Sequence, residues 1–170
     1  MNATQETRLK RILFCTDFSE SADAAFDFAL DATIRRPGTT LWLLHVIHEV
    51  EAQFWKSYLA EVDNLDEQAR GTIEEKVSQT YLSRVPAGVA VEVEIRTGPD
   101  AATILEFAQE KQIDLIVIGR HGRSGMHKAL FGNVAEKIVR KANCAVLVIP
   151  LSYAAKPPAA APPGPEPRAQ

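Results

Sequence analysis

Residues 11–33 read RILFCTDFSESADAAFDFALDAT, an apolar run followed at once by a segment with helical spacing. The run Arg11–Thr16 stays apolar up to a polar turn, which is typical of a buried β-strand. Over Ser19–Thr33 apolar residues such as Ala22, Phe26 and Ala29 recur every three or four positions, as on one face of a helix. This stretch predicts a strand joined directly to an amphipathic helix.

The same strand–helix order repeats along the chain. The predicted strands are Arg11–Thr16, Thr40–Ile47, Val89–Thr97, Leu115–Ile118 and Ala145–Ile149. The predicted helices are Ser19–Thr33, Phe54 to about Arg84 with a break or bend near Gly71, Asp100 to about Lys111, and Asn133–Asn143. Strands connected by crossover helices run parallel, and the apolar strands suit cover on both faces. The pattern predicts a doubly wound α/β sheet.

Length and composition predict one domain over residues 1–153. The 170 residues are 46% apolar, enough for one core, and the net charge of −3 argues against nucleic-acid or anionic-membrane partners. We expect a cytoplasmic protein, because no apolar run approaches the roughly 20 residues of a membrane span and no signal-like segment opens the chain. Cys15 and Cys144 lie in apolar runs, which predicts neither a disulfide nor a zinc site.

Residues 154–170 differ in composition from the rest of the chain. They hold six of the ten prolines and almost nothing to bury, which predicts a disordered Pro/Ala-rich tail. The tail could be a PxxP ligand for a partner, or a solvated segment with no defined role.

A glycine loop follows the fourth predicted strand. Gly119, Gly122 and Gly132-Asn133 have the spacing G-x2-G-x9-G-N. Glycines let backbone amides approach an anion, and the following helix N-terminus adds free amides and a positive dipole end. The loop also carries cationic or titratable side chains: Arg120, His121, Arg123, His127 and Lys128. A phosphate site is one hypothesis and a tight turn is the other, since the Walker A and GxGxxG patterns are both missing.

These segments together resemble the universal stress protein family. The GRHG turn, the nine-residue gap and GNVAEKIVR resemble the signature G-x2-G-x9-G-(S/T) of its ATP-binding members. KRILFCTDFSESADAA, LLHVIHE, TGPDAATILEFA and CAVLVIP extend the likeness, in order, over nearly all of residues 9–150. The resemblance implies a Rossmann-like fold of the adenine nucleotide alpha hydrolase-like type, with strand order 3-2-1-4-5.

The resemblance also implies a ligand, ATP or AMP, with Mg²⁺ arriving on the phosphates and no metal ligand from the protein. In such members the residue matching Asp17 contacts the adenosine, Val46 offers backbone groups to adenine and Gly119 lies beside the ribose. Gly122, Gly132, Asn133 and Val134 would hold the phosphates, mainly through backbone amides. The implied site is Thr16, Asp17, Val46, Gly119, Gly122, Arg123, Gly132, Asn133 and Val134.

Two of these residues have structural alternatives. Asn133 stands where the family signature has Ser or Thr, so a hydroxyl donor is missing, and Asn133-x-x-Glu136 could instead form a capping box. Asp17-Phe-Ser-Glu20 could likewise cap the first helix. The position of Asp17 after the first strand favours the ligand role, because doubly wound sheets bind ligands where strand order reverses.

Other features carry weaker hypotheses. His45 on the second strand is predicted to be a buried histidine rather than a ligand, and His48 to be exposed. The stripe Trp55, Tyr58, Leu59, Val62, Leu65, Ile73, Val77, Tyr81 and Leu82 predicts packing on the sheet, with a flap over the cleft as an alternative for its first part. The uncharged fifth strand, Cys144 to Ile149, predicts pairing into a homodimer, as the resemblance implies, unless the tail covers it.

Three hypotheses for function follow. The first is a regulatory stress-response protein that binds ATP or AMP, with at most slow ATP hydrolysis and an unknown regulatory partner. The second is a nucleotide phosphohydrolase or nucleotidyl transferase, which would need a metal-binding carboxylate pair or a positioned base that the sequence does not show. The third is a dimeric family member that has lost nucleotide binding through Asn133 and acts by protein contacts.

Overall fold

The computed structural model of the protein describes residues 9–48, 65–122 and 132–153. The strands are β1 (Arg11–Thr16), β2 (Thr40–His48), β3 (Ala90–Gly98), β4 (Leu115–Gly119) and β5 (Ala145–Ile149). The helices in these ranges are α1 (Glu20–Ile34), α2 (Leu65–Thr80), α3 (Asp100–Glu110) and α4 (Asn133–Lys141), with 3₁₀ turns at Leu82–Arg84 and Leu151–Tyr153. Each predicted strand is present and ends within one residue of its predicted bounds.

The strands form one sheet in the order β3-β2-β1-β4-β5, with every neighbouring pair parallel. This confirms the doubly wound α/β fold. β1 lies at the centre, where Cys15 faces Leu44 on β2 and Ile118 on β4. The chain winds outward from β1 to β3 and then crosses to β4, so the reversal lies between β1 and β4. A crevice is expected at the carboxyl ends of these two strands.

Each face of the sheet buries its own apolar cluster. On one face, α1 and α2 cover β1, and the rings of Phe14, Phe26 and Tyr81 meet with centroids 4.8–5.3 Å apart. On the other face, α3 and α4 bring Phe107 and Ile138 against the sheet. All five of these side chains are fully buried. The packed sheet therefore forms a rigid base for the loops at its edge.

The helix predicted from Phe54 to Arg84 differs in detail from the observed one. α2 continues through Gly71, so the predicted break there is wrong, and the bend predicted as its alternative stays a prediction. An exposed glycine costs a helix only about 1 kcal/mol relative to alanine, and burial of Val77 in the core favours the helix over a break. Val77 and Tyr81 are fully buried, which confirms that this half of the apolar stripe packs on the sheet. The first half, with Trp55 and Tyr58, lies outside the described residues, as do Arg123 and the tail from 154 to 170.

The two edge strands are β3 and β5, as the strand order requires. On β3 the side chain of Arg96 pairs with Glu110 at 2.7 Å and Glu94 at 3.4 Å, which places charge along that edge. β5 carries no charged side chain, and its middle residues are half-buried. Pairing of β5 with a second copy stays a prediction.

Both cysteines are free thiols. Burial raises the pKa of the Cys15 thiol far above its ordinary value, which keeps that thiol protonated and unreactive. Over the ranges given above, none of the helices has the length and apolar character that crossing a membrane would require.

Candidate nucleotide site

A cleft of about 470 Å³ opens at the carboxyl ends of β1, β2 and β4, within the range of about 300–1,000 Å³ that small-molecule sites occupy. The predicted site residues that the structure describes all line it: Thr16, Asp17, Val46, Gly119, Gly122, Gly132, Asn133 and Val134. The fold therefore gathers residues from separate parts of the chain at one point. Arg123, His127 and Lys128 lie outside the described residues.

Asp17 begins the turn between β1 and α1, and it does not cap the helix. The cap of α1 is Ser19, whose side-chain oxygen accepts a hydrogen bond from the backbone of Ala22 at 3.2 Å. Asp17 Oδ1 accepts from the Ser19 backbone at 3.0 Å, which is an Asx turn. Its other oxygen faces Gly122 so closely that a Cβ at Gly122 would lie 2.6 Å from it. The capping alternative for Asp17 is wrong, and its carboxylate lies against the glycine loop.

Phe18, between Asp17 and Ser19, has a φ of 59°, which is rare for a residue with a bulky side chain. Its backbone N–H donates to Thr16 Oγ1 at 2.9 Å, and that oxygen also bonds the buried Tyr81 hydroxyl at 2.7 Å. The Phe18 ring stacks on Tyr81 and has the Lys76 ammonium 4.4 Å from its centroid. Contacts from Lys76 on α2 and from Tyr81 directly after it thus hold the turn that positions Asp17. The sequence did not indicate this role, because Tyr81 is distant in the chain and no local pattern marks a positive φ at phenylalanine.

Replacing Tyr81 by Phe should lower the free energy of unfolding by about 1–2 kcal/mol, since the Thr16 hydroxyl loses a buried partner. Burial raises the pKa of Tyr81 to about 12. The tyrosine hydroxyl therefore stabilises the fold fully below its ordinary pKa, and this stabilisation is lost as pH rises through the folded value. Urea unfolding at about pH 8 and pH 11.5 should show a smaller wild-type advantage at the higher pH. An advantage of equal size at both would contradict this account.

His45 supports the same turn from β2. It is 8% exposed, and its Nδ1 lies 2.8 Å from the Thr16 carbonyl oxygen. Its ring packs on Phe18 with centroids 4.8 Å apart. The prediction of a buried, hydrogen-bonded histidine is confirmed, and His48 at the end of β2 is exposed as predicted.

Gly119 ends β4 where the strand passes the first turn of α1. A Cβ at Gly119 would lie 2.6 Å from the carbonyl carbon of Ser21 and 2.9 Å from the backbone nitrogen of Ala22. No side chain fits against this backbone. The packing of β4 on α1 therefore explains why position 119 is glycine, independently of any ribose beside it.

Gly122 and Gly132 bring two backbone segments together, although nine residues separate them in the chain. A Cβ at Gly132 would lie 3.1 Å from the Arg120 carbonyl oxygen and 3.6 Å from the Gly122 nitrogen. The Gly132 N–H donates to the Arg120 oxygen at 2.8 Å. The Gly132 amide therefore already has an acceptor, and the phosphate role of Gly132 stays a prediction. Gly132 allows the close approach of the two segments.

The N-terminus of α4 opens into the cleft. Gly132 is its cap residue, and its carbonyl accepts from the Glu136 backbone at 2.9 Å. Asn133 is the first helical residue and is exposed, so it does not occupy the cap position. The capping-box alternative for Asn133 is therefore wrong. As at any helix start, the amides of Asn133, Val134 and Ala135 have no acceptor within the helix, so they can meet an anion.

Comparison with known proteins identifies the family of this chain. The model of the universal stress protein family matches residues 8–150. Universal stress protein MJ0577 of Methanocaldococcus jannaschii is 28% identical in an alignment of 153 positions that covers 82% of this chain and 94% of the relative. The residues matched by the family model include β1 to β5.

Solved structures show the same fold. MJ0577 superposes with a TM-score of 0.67 at 30% identity, covering 84% of this chain and 96% of its own. Universal stress protein UspA from Lactobacillus plantarum gives 0.61 at 27% identity, covering 84% and 98%. A universal stress protein in complex with cAMP gives 0.55 at 20% identity, covering 82% and 95%, which is a likeness of fold. This chain belongs to the universal stress protein family.

Proposed function

We propose that this chain is a regulatory protein of the cytoplasm that binds ATP or AMP in the cleft and answers to stress through nucleotide occupancy. The observation that carries the proposal is the meeting of Gly122 with the N-terminus of α4 opposite Asp17. Backbone N–H groups at such a point donate hydrogen bonds to phosphate oxygens, and the helix dipole favours negative charge there. A protein of this fold has been solved with cAMP, an adenine nucleotide.

The opposite end of the cleft suits a base. β1 pairs with β2 only as far as Thr16 and His45, whereas β2 stays paired to β3 up to His48. Val46 and Ile47 lie beyond the last pair of β2 with β1, so a base edge could bond the backbone groups that these two residues direct to that side. The apolar side chains of Val46 and Ile104 line the same region and offer a surface for an aromatic ring.

Asp17 lies between these two ends and would accept from the ribose hydroxyls. Mg²⁺ would enter with the phosphate chain, since in the ranges described no group of three or more His, Cys, Asp or Glu is placed to hold a metal ion. ATP hydrolysis is expected to stay below about one turnover per second, the lower end of ordinary enzyme rates. We further propose a homodimer paired through the uncharged edge strand β5.

Native mass spectrometry of the chain purified without added nucleotide tests this function. The expected result is a dimer mass with AMP or ATP retained, and calorimetric titration of nucleotide-stripped protein with AMP should show saturable binding. Turnover of several ATP per second would favour an enzyme instead. Failure to bind either nucleotide at millimolar concentration would refute the proposal.

Replacing Asn133 by Ser should raise the affinity for ATP by up to about tenfold, because the hydroxyl of the family signature returns at the helix start. The change removes no cap, since the cap residue of α4 is Gly132. The exposed Asn143, outside the cleft, provides the matched control Asn143→Ser. Calorimetry on both variants would measure the difference. Weaker binding by Asn133→Ser would show instead that the amide already serves the phosphate.

A further inference from the structure

Arg120 differs from the other arginines of the described ranges. Each of the others has an oxygen acceptor within hydrogen-bond or ion-pair distance of its guanidinium. Even the well-exposed Arg35 and Arg140 pair with carboxylates one helical turn away. Arg120 has no such acceptor within those ranges. Its Nε is buried without a hydrogen-bond partner, as is that of Arg11, but another nitrogen of the Arg11 guanidinium donates to Gln112.

The position of Arg120 is held by its backbone. Its N–H donates to the Ile149 oxygen on β5 at 2.8 Å, and its carbonyl accepts from Gly132 at 2.8 Å. The residue lines the cleft directly after Gly119 and next to the start of α4. Within the described part of the chain, a cation on a held backbone and without an acceptor therefore lies where the phosphate chain is proposed to run.

A buried donor without a partner is unfavourable, so a group that arrives to accept its hydrogen bond is bound more tightly. The guanidinium fork matches the oxygens of phosphate, which it bonds with two parallel N–H groups. A free nucleoside has no anionic oxygen to offer. Helix amides alone contribute only partial charge, whereas Arg120 contributes a full one.

We propose that Arg120 binds a phosphate of the nucleotide and so makes the cleft select phosphorylated nucleosides over free nucleosides. The inference rests on the proposed nucleotide binding and adds a side chain that the glycine signature does not contain. It makes the preference for AMP over adenosine, rather than overall binding, the property that Arg120 controls.

Calorimetric titration with AMP and with adenosine tests the inference on wild type, Arg120→Gln, Arg120→Lys and Arg140→Gln. Arg120→Gln should weaken AMP binding about 10- to 100-fold and leave adenosine within about twofold, as expected for loss of one charged hydrogen-bond pair. Arg120→Lys keeps the charge without the two parallel N–H groups, and its affinity for AMP should lie between those of wild type and Arg120→Gln. Arg140→Gln makes the same charge change on the exposed side of α4 and should match wild type.

The outcomes separate the two proposals. If wild type binds neither compound, the proposed function fails, and the inference fails with it. If wild type binds AMP but Arg120→Gln keeps the wild-type preference for AMP over adenosine, the inference alone is overturned. Equal weakening of both compounds would show a structural role, which also overturns it. Should Arg120→Gln not fold, the same preference measured on Arg120→Lys decides the question.

Discussion

Replacing Gly122 by Asp should lower the affinity of the cleft for AMP more than about a hundredfold, or about 3 kcal/mol. The new Cβ would lie 2.6 Å from Asp17 Oδ2, so the Asp17 side chain must turn away from its present position. The new carboxylate would stand beside that of Asp17 and face the incoming phosphates, and both like-charge contacts oppose binding. Calorimetric titration with AMP measures the loss.

The exposed glycine of α2 provides the matched control. Gly71→Asp makes the same change of residue and charge where a Cβ would meet nothing within 4 Å, and it should bind AMP as wild type does. Gly122→Ala separates size from charge, since a methyl displaces only the flexible end of Asp17 and should cost far less. Wild-type affinity in Gly122→Asp would exclude this cleft as the nucleotide site.

Replacing Gly119 by Ala should lower the free energy of unfolding by about 3 kcal/mol, even without nucleotide, because overpacked contacts cost roughly that much. The added Cβ would lie 2.6 Å from the Ser21 carbonyl carbon, which is backbone in the first turn of α1 and cannot rotate away. Either α1 or β4 must shift, and the shift would spread to the Ser21 side chain and its contacts with His121 and Ile149. Urea unfolding of the nucleotide-free protein measures the loss.

Gly71→Ala is expected to have the opposite sign. Gly71 lies in the exposed middle of α2 with open space around its Cα. Alanine at this position should therefore stabilise the helix by about 0.5–1 kcal/mol. Two identical substitutions would thus move stability in opposite directions. A Gly119→Ala protein as stable as wild type would show that β4 and α1 do not meet as closely as described.

The predictions of strands and helices were confirmed where hydrophobic periodicity was strong. The predictions of helix caps were wrong where a local sequence pattern was compatible with two structures. Apolar strands such as Leu115–Gly119 are buried on both faces, and their composition shows this directly. The capping patterns at Asp17 and Asn133 were misleading, because a cap depends on backbone angles that the residue types alone do not determine. The cap residues are instead Ser19 for α1 and Gly132 for α4.

By itself the sequence determined the order of strands and helices, and hence a parallel sheet, because burial periodicity and crossover connections are properties of the chain read locally. It also placed glycines after the fourth strand. Only the tertiary structure decided what those glycines do. Gly119 allows α1 to pack closely on β4, the Gly132 N–H donates to the Arg120 carbonyl oxygen, and Gly122 lies against the Asp17 carboxylate. Tyr81 supports the turn at Asp17 through its bond to Thr16, which is distant in the chain. In the described ranges the buried Arg120 Nε has no partner, which also depends on the tertiary structure. Hydrophobic periodicity does not predict contacts of this kind.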